Sequence, residues 1–207
     1  MSEEDQIIKV ILIGNSGVGK TSIINRFYLN KFEEKQNITF TANFIVKNIN
    51  IDGKTVILIV WDTAGQEKFK SVNKIFIKNS NIIIFVYDIT NHKSFEELDF
   101  WYKLIIDESE EDAIFGLAGN KADIVEKESV SIEEGQKRAE EWGATFALLS
   151  AKEDKAGISS FFTELVKNYL GNQLEKDLGR KTIKIDQNDI KKKKSSKGEC
   201  CEKKNKK

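Results

Sequence analysis

Gly14-Asn15-Ser16-Gly17-Val18-Gly19-Lys20-Thr21 is the stretch of this chain whose residue types and spacing most directly imply chemistry. It satisfies the pattern G-x-x-x-x-G-K-[ST], in which glycines let the backbone bend so that successive N–H groups face one concavity. Such a nest, opening onto the positive end of a helix dipole, suits a polyanionic phosphate. Ser16, Gly17, Val18, Gly19, Lys20, Thr21 and Ser22 are therefore candidate phosphate contacts. Lys20 would bridge β- and γ-phosphates, and the Thr21 hydroxyl would ligate a Mg²⁺ shared with them.

The loop needs a strand to end at it and a helix to begin from it. Ile7-Ile8-Lys9-Val10-Ile11-Leu12-Ile13 is apolar and β-branched, as a buried strand should be, and Ser22 to Tyr28 continue at helical spacing. Further along, Phe44–Ile51 and Lys54–Trp61 flank Asp52-Gly53, a hairpin signal for a type I′ turn, so these two strands should be antiparallel. Strands then alternate with helices: Ile82–Tyr87, a helix over Thr90–Asp107, Ala113–Gly119, a helix opened by the capping box Ser131-Ile132-Glu133-Glu134, and Thr145–Leu149. A last helix carrying Ile158, Phe161, Phe162, Leu165, Val166 and Tyr169 should stop at Gly171.

This order predicts an α/β fold of the P-loop NTPase kind: a six-stranded, mostly parallel sheet with one antiparallel strand and helices on both faces. In such sheets ligands sit beyond the carboxyl ends of the strands, where the polar clusters fall. Asp62, at a strand end, can hold Mg²⁺ through its water. Gly65 offers an N–H near the terminal phosphate with no side chain in the way, and Gln66 could orient an attacking water.

Composition narrows the class. The 207 residues fit one domain plus an extension, and the chain has no proline. The formal net charge of zero conceals a split, because residues 172–207 carry 13 Lys/Arg against 6 Asp/Glu, leaving the remainder at −7. An acidic globule with a basic tail is a poor nucleic-acid binder and a candidate for an anionic membrane surface. The start, Met1-Ser2-Glu3-Glu4-Asp5, lacks the apolar run of a signal peptide, and no segment is long and apolar enough to span a bilayer. Two adjacent cysteines, Cys200 and Cys201, and a single histidine, His92, argue against a disulfide framework or a zinc site.

With Asp62-Thr63-Ala64-Gly65-Gln66-Glu67, Asn120-Lys121-Ala122-Asp123 and Ser150-Ala151-Lys152 following the phosphate loop in order, residues 6–171 resemble the Ras superfamily of small GTPases. The resemblance implies GTP/GDP and Mg²⁺ as ligands, with Thr21, Thr39 and Asp62 at the metal. Asp123 would read the guanine ring N–H and exocyclic amine, and Lys121 would lie along the base. Asn120 would tie this loop to the phosphate loop, Ala151 would offer its N–H to the guanine oxygen, and Ser150 and Lys152 complete that end. Thr39, 19 residues after Lys20, stands at the interval of the switch I threonine, and Phe32 at that of the aromatic packing edge-on to the base. Gln66, Lys20 and Thr39 are thus the candidate catalytic residues.

Within the superfamily the chain is most similar to Rab proteins, on Trp61–Phe69 and on Val86-Tyr87-Asp88-Ile89-Thr90. That implies a monomeric GTP/GDP switch in vesicle traffic, cytoplasmic and cycling to the cytosolic face of endomembranes. Its partners would be an exchange factor, an activating protein and effectors that meet Phe44, Trp61 and Phe76. Some positions depart from the Rab pattern: Thr39-Phe40-Thr41 in switch I, Leu149 before Ser150, and six residues after Cys201 where Rabs usually have few. The expected organisation is a GTPase domain over 1–171 and a disordered basic tail over 172–207, anchored by lipids on Cys200 and Cys201. Rival readings are a GTP-binding scaffold with negligible turnover, another signalling GTPase of the superfamily, or a P-loop kinase. The kinase needs a lid of arginines, and only Arg26, Arg138 and Arg180 exist, widely separated.

Overall fold

The structure, a computed structural model, describes residues 6–34, 39, 43–63, 77–106, 109 and 112–195, with side chains up to 176. Gly65, Gln66, Phe76, Cys200 and Cys201 lie outside the described residues. Six strands, β1 (Gln6–Ile13), β2 (Asn43–Ile51), β3 (Lys54–Asp62), β4 (Ile82–Asp88), β5 (Ile114–Asn120) and β6 (Thr145–Leu149), form one sheet in the order β2-β3-β1-β4-β5-β6. Among the described residues only the β2–β3 pair is antiparallel. Its turn residues Asp52 and Gly53 have φ of 51° and 87°, the doubly positive pair that a type I′ hairpin requires.

Every residue of β4 is buried, because helices cover both faces of the sheet. Alternate residues Ile83, Phe85 and Tyr87 join Phe95, Leu98, Trp101 and Ile105 in one core cluster. These come from α2 (His92–Glu96) and α3 (Leu98–Ile106), and Ala139 of α4 (Ile132–Trp142) packs with them. On the other face α1 (Lys20–Leu29) meets α5 (Lys155–Ser195), where the Phe27 and Phe162 rings stack with centroids 4.1 Å apart. Ser131 and Glu134 close the capping box that opens α4, and Gly143 ends that helix with φ of 61°.

Two elements differ from the sequence reading. A single helix over 90–107 is expected, but the chain breaks at Glu97 into α2 and α3. The Glu97 carboxylate there accepts a hydrogen bond from Asn15 Nδ2 of the phosphate loop, a tertiary contact that no local pattern reports. The last helix, expected to stop at Gly171, continues to Ser195. Gly171 does not take the positive φ of a helix stop, and the residues beyond it include good helix formers and no proline. The chain divides into two compact units, Met1–Tyr169, which holds the sheet, and Leu170–Lys207.

Among the described residues two buried side-chain atoms have no hydrogen-bond partner, and one of them lies in the core. The Tyr87 hydroxyl is buried with no hydrogen-bond partner, close above Gly119 and Gly135, where an added Cβ would lie 2.7 and 2.6 Å from it. Burial pushes its pKa up, and Glu128 and Glu134 add to the shift. Tyr87→Phe is therefore expected to leave stability unchanged or raise it by up to ~1 kcal/mol, because the hydroxyl is desolvated without compensation. A denaturation midpoint corresponding to a loss of more than ~1 kcal/mol would show that the hydroxyl is bonded.

Candidate functional site

β1 ends at Ile13, and the chain turns through three left-handed glycines, Gly14, Gly17 and Gly19, with φ of 149°, 80° and 98°. Gly19 is the N-cap of α1 and supplies no side-chain cap, so the first-turn amides of α1 stand ready for an anion. Lys20 is buried, and its Nζ donates to the Gly14 and Asn15 carbonyls, both at 2.8 Å. Burial pushes the Lys20 ammonium down to about 8, against the pull of the nearby Asp62 charge. An ammonium held this deep has lost most of its water, which strengthens its attraction for any anion that reaches it.

Three hard oxygen donors converge beside it. Thr21 Oγ1 donates to Asp62 Oδ2 at 2.7 Å and lies 2.9 Å from Thr39 Oγ1. Asp62 Oδ1 is buried with no partner, and burial raises the carboxyl's pKa despite the Thr21 bond and the Lys20 charge. A buried, half-satisfied carboxylate beside two hydroxyls fits a small hard cation such as Mg²⁺, which keeps waters and phosphate oxygens as its other ligands. Among the described residues no group of three or more His, Cys, Asp or Glu could hold a metal on its own.

The far end is built by the β5 and β6 termini. Asn120 is buried; its Nδ2 donates to the Val18 carbonyl at 2.8 Å and its Oδ1 accepts the Ala151 amide at 3.2 Å. The Asn120 loop is thereby tied to the phosphate loop, and the Ala151 N–H, expected to face a base oxygen, is engaged by Asn120. Ser150 Oγ donates to Asp123 Oδ1 at 2.6 Å, fixing the carboxylate's orientation. Arg26 of α1 clasps the next loop, giving Nε to the Ala151 carbonyl at 2.8 Å and Nη2 to that of Lys152 at 2.5 Å. Its guanidinium is thus committed to carbonyls.

These two ends share one cavity of about 430 Å³, lined by Ser16, Gly17, Gly19, Lys20, Thr21, Ser22, Phe32, Thr39, Asn120, Lys121, Asp123, Ala151 and Lys152 from the sequence reading. Glu33, Glu34, Thr63 and Ile124 also line it and were not singled out by sequence. Val18, Asp62 and Ser150 stand behind the wall: Val18 and Ser150 bond Asn120 and Asp123, and Asp62 bonds Thr21. Gly65 and Gln66 lie outside the described residues. On the sheet edge Phe44 pairs across strands with Trp61, ring centroids 4.9 Å apart, and remains half exposed, which is unlike a core aromatic.

Sequence comparisons bear on the family. Residues 9–171 match the sequence model described as "Ras family". Among curated relatives, "Ras-related protein RabC" of Dictyostelium discoideum is 42% identical over 168 residues, covering 80% of this chain and 85% of that protein. "Ras-related protein Rab-21" of Bos taurus and of Homo sapiens are each 41% identical over 162 residues, covering 78% of this chain and 72% of theirs.

Proposed function

We infer the roles of the individual site residues from the premise that this chain belongs to the Rab family of the Ras superfamily. It is a GTPase, hydrolysing GTP to GDP and phosphate with Mg²⁺, and acts in membrane traffic with exchange factors, activating proteins and effectors as partners. The observation that supports the residue roles is the single cavity with Lys20 and the loop amides at one end and Asp123 at the other.

In this reading Asp123 accepts from the guanine N1–H and exocyclic amine, while Lys121 and Phe32 flank the base. Adenine lacks that donor pair and would leave the carboxylate unpaired. Loop amides from Ser16 to Ser22 and the Lys20 ammonium take the phosphate charge. Thr21, Thr39 and Asp62 would hold Mg²⁺, which would supply neutralisation of the phosphate charge when bound. Thr39 and Gly65 lean on the γ-phosphate, so its loss releases both switch loops.

Gln66 aligns the attacking water. Gln66→Leu is expected to keep GTP affinity within about threefold while slowing single-turnover hydrolysis at least about tenfold, since leucine can neither donate to nor accept from water. An unchanged hydrolysis rate would remove Gln66 from the reaction. Because Arg26 is bound to the Ala151 and Lys152 carbonyls, an arginine for the transition state comes from an activating protein in trans.

Effectors meet the exposed Phe44 beside Trp61, together with Phe76. The family cycles on endomembranes, and no helix among the described residues is long and apolar enough to cross one. Attachment is through the basic tail, with isoprenoid chains on Cys200 and Cys201, since two lipids hold where one binds marginally. Mass spectrometry of the C-terminal peptide from cells is expected to show both thioethers, and bare thiols would exclude them.

A further inference from the structure

Asp88 ends β4 opposite Asn120 of β5, immediately behind the cavity but not in its lining. It is 6% exposed, and both carboxylate oxygens are engaged by different residues. Oδ1 accepts the Thr90 amide at 2.9 Å and the Thr90 hydroxyl at 2.7 Å. Oδ2 lies 2.5 Å from the Lys121 ammonium. The Asp88 backbone is pinned as well, its N–H donating to Ser94 Oγ at 3.0 Å. Lys121 does line the cavity, and its backbone takes a left-handed φ of 68°, a conformation that costs free energy outside glycine.

A carboxylate this buried is stable only if its charge is met, and one tied twice to Thr90 cannot swing to follow a partner. The flexible lysine must therefore come to the fixed aspartate. A lysine without such an anchor samples many rotamers, and each nucleotide that binds has to order it.

We propose that Asp88 is a positioning residue for nucleotide retention: its ion pair with Lys121 holds that side chain in place as a wall of the base slot before the nucleotide arrives. The inference rests on the reading that Lys121 and Asp123 face the guanine base. Losing the anchor lets the bound nucleotide leave faster, because the cost of ordering Lys121 falls on the complex. The phosphate end, held by other residues, is left as it was.

The test uses the full-length chain loaded with a fluorescent GDP and chased with excess GDP in magnesium buffer. Asp88→Asn keeps an acceptor for Thr90 but loses the charge, and is expected to raise the dissociation rate about tenfold. Single-turnover hydrolysis of preloaded GTP should stay within twofold of the parent. Lys121→Met alone should raise dissociation similarly, and adding Asp88→Asn to it should change the rate less than twofold. An unchanged rate in Asp88→Asn, or an undiminished effect in the Lys121→Met background, would overturn the proposal. If Asp88→Asn does not fold, Lys121→Arg, which still reaches Asp88, should release GDP at least threefold more slowly than Lys121→Met, and equal rates would overturn it. A parent chain that holds adenine nucleotides as tightly as guanine ones would sink the base-slot reading itself, whereas a guanine-selective parent with an inert Asp88→Asn would remove only the role of Asp88.

Discussion

Asn in place of Asp123 is expected to lower affinity for GDP and GTP roughly a hundredfold, equivalent to ~2.7 kcal/mol, in the range of a lost charge-assisted hydrogen-bond pair. A carboxylate offers two acceptors to the guanine N1–H and amine, whereas the amide offers one acceptor and turns an N–H₂ donor toward the amine. Ser150 Oγ, which donates to Asp123 Oδ1 at 2.6 Å, can still bond the amide oxygen, so the loop itself should hold. The same geometry predicts a gain. Xanthine carries a carbonyl where guanine carries its amine, so xanthosine diphosphate should bind Asp123→Asn better than it binds the parent. Competition against a fluorescent nucleotide measures both; GDP affinity within threefold of the parent, or no gain for xanthosine diphosphate, would show that Asp123 does not read the base.

Ala in place of Gly14 is expected to destabilise the fold by about 3 kcal/mol or more, combining overpacking with left-handed strain. An added Cβ would lie 2.1 Å from the Val86 carbonyl oxygen and 3.2 Å from its carbon, both backbone atoms of the central strand β4. Neither partner can give way, because β1 and β4 are in register beside this point, Ile13 opposite Phe85. Gly17→Ala is the internal control. Its Cβ would meet nothing within 4 Å, so only the φ of 80° penalises it, at ~1 kcal/mol. Thermal melts should therefore separate the two by several degrees, given about 2–4 °C per kcal/mol in a chain of this size. Equal melting temperatures would mean that β1 and β4 do not approach at Gly14 as closely as the structure has them.

The parts of this molecule that were legible in its sequence are those fixed by short-range chemistry. The phosphate loop, the Asp52-Gly53 hairpin and the Ser131/Glu134 capping box each follow from residues within a few positions of one another. Other contacts that organise the site are long-range, and the pairing carries no local signature: Arg26 meets Ala151 across 125 positions and Asn15 meets Glu97 across 82. The Asn120–Val18 tie across 102 positions is legible only through the resemblance of the Asn120-Lys121-Ala122-Asp123 motif to a known family. The break at Glu97 escaped the periodicity because Phe95, Leu98, Trp101 and Ile105 keep the apolar side of both helices on one core. Gly171 misled in the opposite sense: glycine permits a helix to end but does not compel it.

One cavity taking a purine nucleotide by both ends is tested most directly by a calorimetric titration of nucleotide-stripped protein with GDP and with ADP in magnesium buffer. Stoichiometric uptake of GDP, with ADP weaker by at least about a thousandfold as expected where an unmatched base leaves Asp123 unpaired, is the predicted result. Indistinguishable affinities for the two, or heat from neither, would contradict it.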